Sequence, residues 1–315
     1  MPTYHSLFIP DFPMAAANKS IYSALVANLA IAITKFVAGG FSNSAAMIAE
    51  GFHSLVDTTN QILLLFGLRQ SKKAADASHP FGYGKELYFY SFIVSILIFG
   101  LGGGLSIYQG ILHIREPEPL GNPIWSYAVL SLSIVFEGIS LIIAIREFDR
   151  VRGDLGYWDA IKASKDPSSF LVLFEDGAAV LGLLIVLVCL FLEHQYNLPV
   201  LDGVASLLVG LLLVVVSIIL ARESRSLLMG EGLSPDIRAK ISQLVESDPA
   251  VLQSQRVIST YQSPEEVILM LVLAFREELT TTDLNRVIDQ LQARIKREFP
   301  LIRFVIIQPE TSTPA

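Results

Sequence analysis

EGFHSLVDTTN, Glu50 to Asn60, is the stretch whose reading decides the fold. It lies inside an apolar run that begins at Ala45 and continues through Leu63, Leu64, Leu65 and Phe66, long enough for a helix that crosses a bilayer. On a helix His53 and Asp57 stack on one face about 6 Å apart along the axis, with Glu50 and Asn60 a turn further out on nearly the same face. One stripe therefore carries the polarity. Holding an ionisable group in lipid costs roughly 2.5–3.5 kcal/mol on insertion scales, so a carboxylate and an imidazole at mid-helix need a partner, a water path or a ligand. A divalent metal ion is the ligand these side chains suit. The plainer alternative is hydrogen bonding between helices by His53 and Asp57.

Composition agrees with a bilayer. Of 315 residues 52% are hydrophobic and 17% charged, and the mean hydropathy is +0.53, which is too apolar for an ordinary soluble domain and predicts an α-helical, polytopic membrane protein. A net charge of −7 without a basic stretch excludes nucleic acid as a partner. Cys189, in an apolar run, is the single cysteine, which excludes disulfides and a thiolate metal cluster. The opening residues, MPTYHSLFIPDFPMAAA, lack the basic start and cleavage site of a signal peptide and predict a short tail over 1–17.

Six runs are long enough to span: about 18–40, 44–68, 86–112, 123–146, 169–192 and 199–222, within a transmembrane domain of 18–230. Asn43, Gly121 and Asn122, and Asn197 with Pro199 punctuate them. Lysines and arginines crowd the loops after the second and fourth runs and follow the sixth, whereas the opposite loops hold Arg115 alone. The positive-inside rule then puts both termini in the cytoplasm, and the expected location is a bacterial cytoplasmic membrane. Beyond Gly232 the pattern becomes that of a soluble domain, 231–310, before a tail of 311–315. Ser234 and Pro235 open a helix to about Glu246, strands follow over Arg256–Gln262 and Val267–Phe275, then a helix over Thr282–Glu298 and a strand over Arg303–Gln308. This αββαβ order predicts a small open-faced α/β domain of the ferredoxin-like, metallochaperone-like kind. It contains neither His nor Cys, which disfavours a zinc-like site within it.

Other polar groups fall within the spans. The fifth run carries Glu175 and Asp176 in LVLFEDGAAVLG. Asp176 with the His53 and Asp57 pair supplies three convergent nitrogen and oxygen donors, a set suited to zinc or a similar first-row ion. Glu175 points about 100° away from Asp176 and is either a further ligand or a rim carboxylate. Lys35, Glu137 and Asp202 are candidates for buried ion pairs or proton carriage. Gly100, Gly102, Gly103 and Gly104 predict close packing of the third span on a neighbour. In the loop HPFGYGKE, His79 to Glu86, Asp76 and His79 form either a tight turn or a peripheral metal site.

Six spans, HSLVD followed by Asn60, HPFGYGK behind the second span, an Asp in the fifth and a C-terminal αββαβ domain together resemble the cation diffusion facilitator family over about 18–309. The EGFHSLVDTTNQ and FEDGAAVLG runs are most similar to its mitochondrial zinc transporter branch. The resemblance implies a homodimeric antiporter that exports Zn²⁺, or alternatively Co²⁺, Mn²⁺ or Fe²⁺, from the cytoplasm against protons by alternating access. It implies an ion held between the second and fifth spans on His53, Asp57 and Asp176, with no resident cofactor. The family's fourth ligand falls on Val172 here, so Glu175, Glu50, Asn60 or water completes the shell. Tyr83 stands where many relatives carry a second loop histidine, leaving Asp76 and His79 without it.

Two other classes compete. An intramembrane metalloenzyme needs an open coordination position and a general base, and no HExxH-like signature is present. A transport-inactive scaffold or regulator with the same fold is the reading that Val172 and Tyr83 keep open.

Overall fold

A computed structural model of the chain describes residues 14–117 and 124–310. The expected N-terminal tail lies largely, and the C-terminal tail wholly, outside these residues. Helix α1 (Met14–Ser42) ends at Asn43, whose φ of 53° lies in the left-handed region that asparagine tolerates better than other residues with a side chain. Then come α2 (Ala45–Ser71), α3 (Glu86–Leu97), a π-helical turn (Ile98–Gly104), α4 (Leu105–Arg115), α5 (Ile124–Arg152), α6 (Tyr157–Ala163), α7 (Pro167–Tyr196) and α8 (Val200–Met229). The short helix α6 is an element absent from the sequence reading.

Among the described residues four helical stretches are long and apolar enough to cross a membrane: Glu86–Arg115, Ile124–Arg150, Phe170–Tyr196 and Val200–Met229. Six were expected. α2 has the length, at 27 residues, but its polar stripe lowers its hydropathy. In α1 the apolar stretch with described side chains, Asn28–Ser42, is shorter than a span.

The chain divides into two compact units. The first comprises the residues up to Leu63 with Ile96–Arg146 and Leu173–Ser217. Within it α4, with the π-helical turn, and α8 meet backbone to backbone. A Cβ on Gly103 would lie 3.1 Å from the carbonyl of Gly210, and one on Gly110 would lie 2.8 Å from that of Gly203 and 2.6 Å from the amide of Leu207. Small residues let membrane helices approach this closely. Of the expected glycine run, Gly102 and Gly103 pack on α8, while Gly100 has open space where a side chain would be.

The second unit comprises Leu64–Ser95, Glu147–Val172 and the residues from Ile218 onward. It contains the αββαβ domain: α9 (Pro235–Glu246), β1 (Val251–Ser263), β2 (Glu266–Phe275), α10 (Thr281–Glu298) and β3 (Ile302–Glu310). Ser234 accepts from the amide of Ile237 at 3.4 Å and Thr280 from that of Asp283 at 3.2 Å, so each helix starts on a side-chain cap. β1 pairs antiparallel and β3 parallel with the central strand β2. Val267, Leu269, Leu271 and Leu273 of β2 bury against Ile241 and Val245 of α9 and Leu291 and Ile295 of α10. β1 begins five residues before the expected strand because register shifts at Val251/Gln253 and Ser254/Arg256 break the alternation a sequence reading relies on. In the same unit Phe81 packs edge-to-face on Phe304 of β3, with ring centroids 5.5 Å apart.

Candidate metal site in the first unit

The polar stripe of α2 is buried as a whole: Glu50, His53, Ser54, Asp57, Thr58 and Asn60 all face inward. His53 Nε2 lies 3.6 Å from Asp57 Oδ2, too far for a hydrogen bond and close enough for one ion to reach both. Among the described residues neither His53 Nε2 nor Asp57 Oδ1 has a hydrogen-bond partner, and the same holds for Asn60 Oδ1 and Glu50 Oε1. Four orphaned, buried lone-pair positions along one stripe are costly unless an ion, a proton or water meets them.

α7 supplies the facing carboxylate, and it is Glu175. The Asn60 amide donates to Glu175 Oε1 at 2.5 Å, and the carboxyls of Asp57 and Glu175 lie within hydrogen-bonding reach of one another. Asp176, about 100° around the helix, is half-buried and accepts from Ser140 of α5 at 2.7 Å. The expected convergence of Asp176 with His53 and Asp57 is therefore replaced by Asp57 with Glu175. Among the described residues no three His, Cys, Asp or Glu side chains are grouped closely enough to hold a metal ion as they stand. Glu137 of α5 lies near enough to Glu50, Asp57, Glu175 and Asp176 for their charges to act on one another. Val172, at the family's fourth ligand position, is exposed.

α1 closes the stripe from the other side. The Lys35 ammonium donates to Glu50 Oε2 at 3.1 Å and to Ser54 Oγ at 2.8 Å, and Lys35 and Glu50 are both completely buried. The ring of Phe36 occupies the space a side chain on Gly51 would take, which brings α1 against α2 here.

Asp202 of α8 is a helix cap. Its carboxylate accepts from the Ser44 hydroxyl at 2.5 Å and from the Ala45 amide, with the Ala46 amide at 3.3 Å. The first turn of α2 thus finds its acceptor on another helix. His113 Nδ1 of α4 stands 3.6 Å from Asp202 Oδ2. Sequence reasoning missed Ser44, His113 and Glu193, whose carboxylate has no hydrogen-bond partner among the described residues. Ser44 was legible as a polar residue just before an apolar run. His113 and Glu193 fall one residue beyond the ends assigned to their spans.

The loop in the second unit is self-satisfied. The Asp76 carboxylate accepts from the amides of Ser78 and His79, each at 2.8 Å, from the Ser78 hydroxyl at 2.6 Å and from the Tyr83 hydroxyl at 2.7 Å. The Ser78 and Tyr83 hydroxyls lead in holding its carboxyl below the usual range, while bonding to Asp76 pushes the Tyr83 phenol up. Tyr83 occupies the acceptor a metal ion beside His79 needs, and its ring lies 4.1 Å from that of His79.

Apolar spans around a buried, acid-rich stripe are the features of a helical membrane protein. The chain belongs to the cation efflux, or cation diffusion facilitator, family: residues 21–229 match the family's cation efflux transmembrane domain. It is 35% identical over 288 residues to the proton-coupled zinc antiporter SLC30A9, mitochondrial, of Xenopus laevis, covering 89% of this chain and 51% of that protein. It is 34% identical over 254 residues to metal tolerance protein C4 of Arabidopsis thaliana, covering 80% of this chain and 54% of that protein. The chain spans about half the length of these relatives. A cadmium form of the MamM CTD is similar to 25% of this chain and 98% of its own, at 14% identity and a TM-score of 0.24. The expected bacterial cytoplasmic membrane is corrected by these matches, since the vertebrate relatives at 35–38% identity are named mitochondrial. Charge asymmetry between loops orders the two faces of a membrane but does not identify the membrane.

Proposed function

We propose that the chain carries a divalent cation, foremost Zn²⁺, across a membrane in exchange for protons, with the ion bound between α2 and α7. The observation that carries this reading is the buried pair His53 and Asp57 facing Glu175, with unpartnered donor atoms on both His53 and Asp57. An imidazole with carboxylates suits a zinc-like ion. Asp176, adjacent in sequence, joins the set after a modest turn of α7. Ligands must be free of protons to coordinate, so protons arriving from the far side displace the ion and metal leaving one way is linked to protons entering the other. Alternating access supplies the two openings.

In this reading α1 and α2 complete six spans, residues 231–310 form a domain on the basic-loop side, and two copies of the chain act together. The name of the vertebrate relative supports a mitochondrial membrane as the location. The full chain in proteoliposomes enclosing a zinc-sensitive dye tests it. Zn²⁺ entry should follow an imposed pH gradient and vanish in Asp57→Ala; entry indifferent to both ends the proposal. A transport-inactive scaffold draws support from the pairing of Asp176 with Ser140, and a growth assay on zinc in an exporter-deficient strain separates the two.

A further inference from the structure

Lys35 reaches the polar stripe of α2 from α1, and its ammonium is fully enclosed with Glu50 Oε2 and Ser54 Oγ as partners. Glu50 stands one turn before His53 on the same face of α2, so by position its carboxylate belongs among the donors that an ion between α2 and α7 meets. Its second oxygen faces α7. Glu50 Oε1 lies 3.1 Å from where a side chain on Gly182 of α7, two helical turns from Glu175, would begin, and among the described residues it has no hydrogen-bond partner. One oxygen is held by α1 and the other is left open toward α7.

Resting on the transport reading above, we propose that Lys35 is a positioning residue that sets which cations the pocket accepts. Its ammonium withholds Glu50 from the ligand set, leaving an imidazole with the carboxylates of Asp57 and Glu175. The donor chemistry gives this consequence. A set containing imidazole and few carboxylates suits zinc-like ions, whereas each added carboxylate moves the preference toward Mn²⁺ and other oxygen-seeking ions. A tethered ammonium also neutralises one negative charge beside the ion, which keeps the pocket from holding its cargo too tightly to release. Lys35 touches no ligand except through Glu50 and Ser54, so it acts by position.

The test compares initial uptake of Zn²⁺ and Mn²⁺ by the full chain in proteoliposomes, with kcat and KM resolved for each ion. The variants are Lys35→Arg, the neutral Lys35→Gln and Lys35→Met, and the double variant Lys35→Gln with Glu50→Gln. Glutamine keeps a donor for Ser54 and Glu50 while removing the charge, which protects folding better than methionine does. In either neutral variant the KM for Mn²⁺ should fall and the Mn²⁺ to Zn²⁺ ratio of kcat/KM should rise several-fold. Arginine should keep the wild-type ratio, and the double variant should return to it because no carboxylate remains to be released. A structural role alone lowers kcat for both ions alike and leaves the ratio fixed. That result, or a raised ratio persisting in the double variant, overturns the inference. A wild type that moves neither ion ends the transport reading and this inference with it, whereas an active wild type with unaltered neutral variants ends only the role of Lys35.

Discussion

The side-chain amide of Asn60 on α2 donates to Glu175 Oε1 on α7 at 2.5 Å, and both groups are buried. This bond ties the two helices at the level of the candidate site. Replacing Asn60 by leucine leaves a buried carboxyl without its donor, at a cost of about 1–3 kcal/mol. The expected outcome is a lower midpoint for thermal unfolding of Asn60→Leu in detergent, followed by intrinsic fluorescence. An unchanged midpoint means the bond contributes nothing.

Glu175, rather than Asp176, faces Asp57. Glu175→Gln should therefore reduce zinc uptake at least as strongly as Asp176→Asn, with a loss in kcat/KM of about 10- to 100-fold, the range typical of groups that ligate or support a metal. Transport kinetics on the two variants side by side decide it. Full activity in Glu175→Gln with none in Asp176→Asn puts the working face of α7 on the other carboxylate.

Asp202 caps α2 from α8. Losing an N-cap acceptor costs about 0.5–2 kcal/mol. In Asp202→Ala the amides of Ala45 and Ala46 should exchange hydrogen faster, and in Asp202→Asn less so, because the amide oxygen still accepts. Hydrogen exchange read by mass spectrometry over this segment makes the measurement, and protection equal to wild type in Asp202→Ala removes the cap from the account.

The Asp76 loop has a predictable pH response. Its carboxyl is held below the ordinary value by the Ser78 and Tyr83 hydroxyls, so the ionised form is favoured by folding. The loop's order is then fully supported above the unfolded value of about 3.9 and is lost as pH falls from there toward the lower folded value. Exchange at the Ser78 and His79 amides should stay flat from pH 5 to 8 after correction for intrinsic rates, and rise below about pH 4. Tyr83→Phe should bring the folded value up toward the unfolded one, so the loss of protection below about pH 4 should be smaller than in the wild type. An equal loss assigns the depression to the Ser78 and His79 contacts alone.

Much of the architecture could be read before any coordinates. Ser234 and Pro235 mark the start of α9 to the residue, because a cap and an N1 proline are local signals. The stripe from Glu50 to Asn60 is equally local, since helical period alone puts those side chains on one face. What escaped depends on contacts across long stretches of chain. Asp202 lies 157 residues from the amide it caps, and no spacing rule links them. Glu175 and Asp176 differ by one helical step, so only the rotation of α7 against α2 decides which faces inward. β1 was shortened for the opposite reason, a local irregularity that hides the period.

Helix α2 is gripped at two heights within the first unit, by Asp202 at Ala45 and by Lys35 at Glu50. Two such grips fix its angular phase as well as its depth. One extra residue placed between Ala46 and Glu50 would turn everything downstream by about 100°, swinging imidazole and carboxylate off the pocket without altering a single side chain. The spacing between the two grips is thus as much a part of the site as its donor atoms.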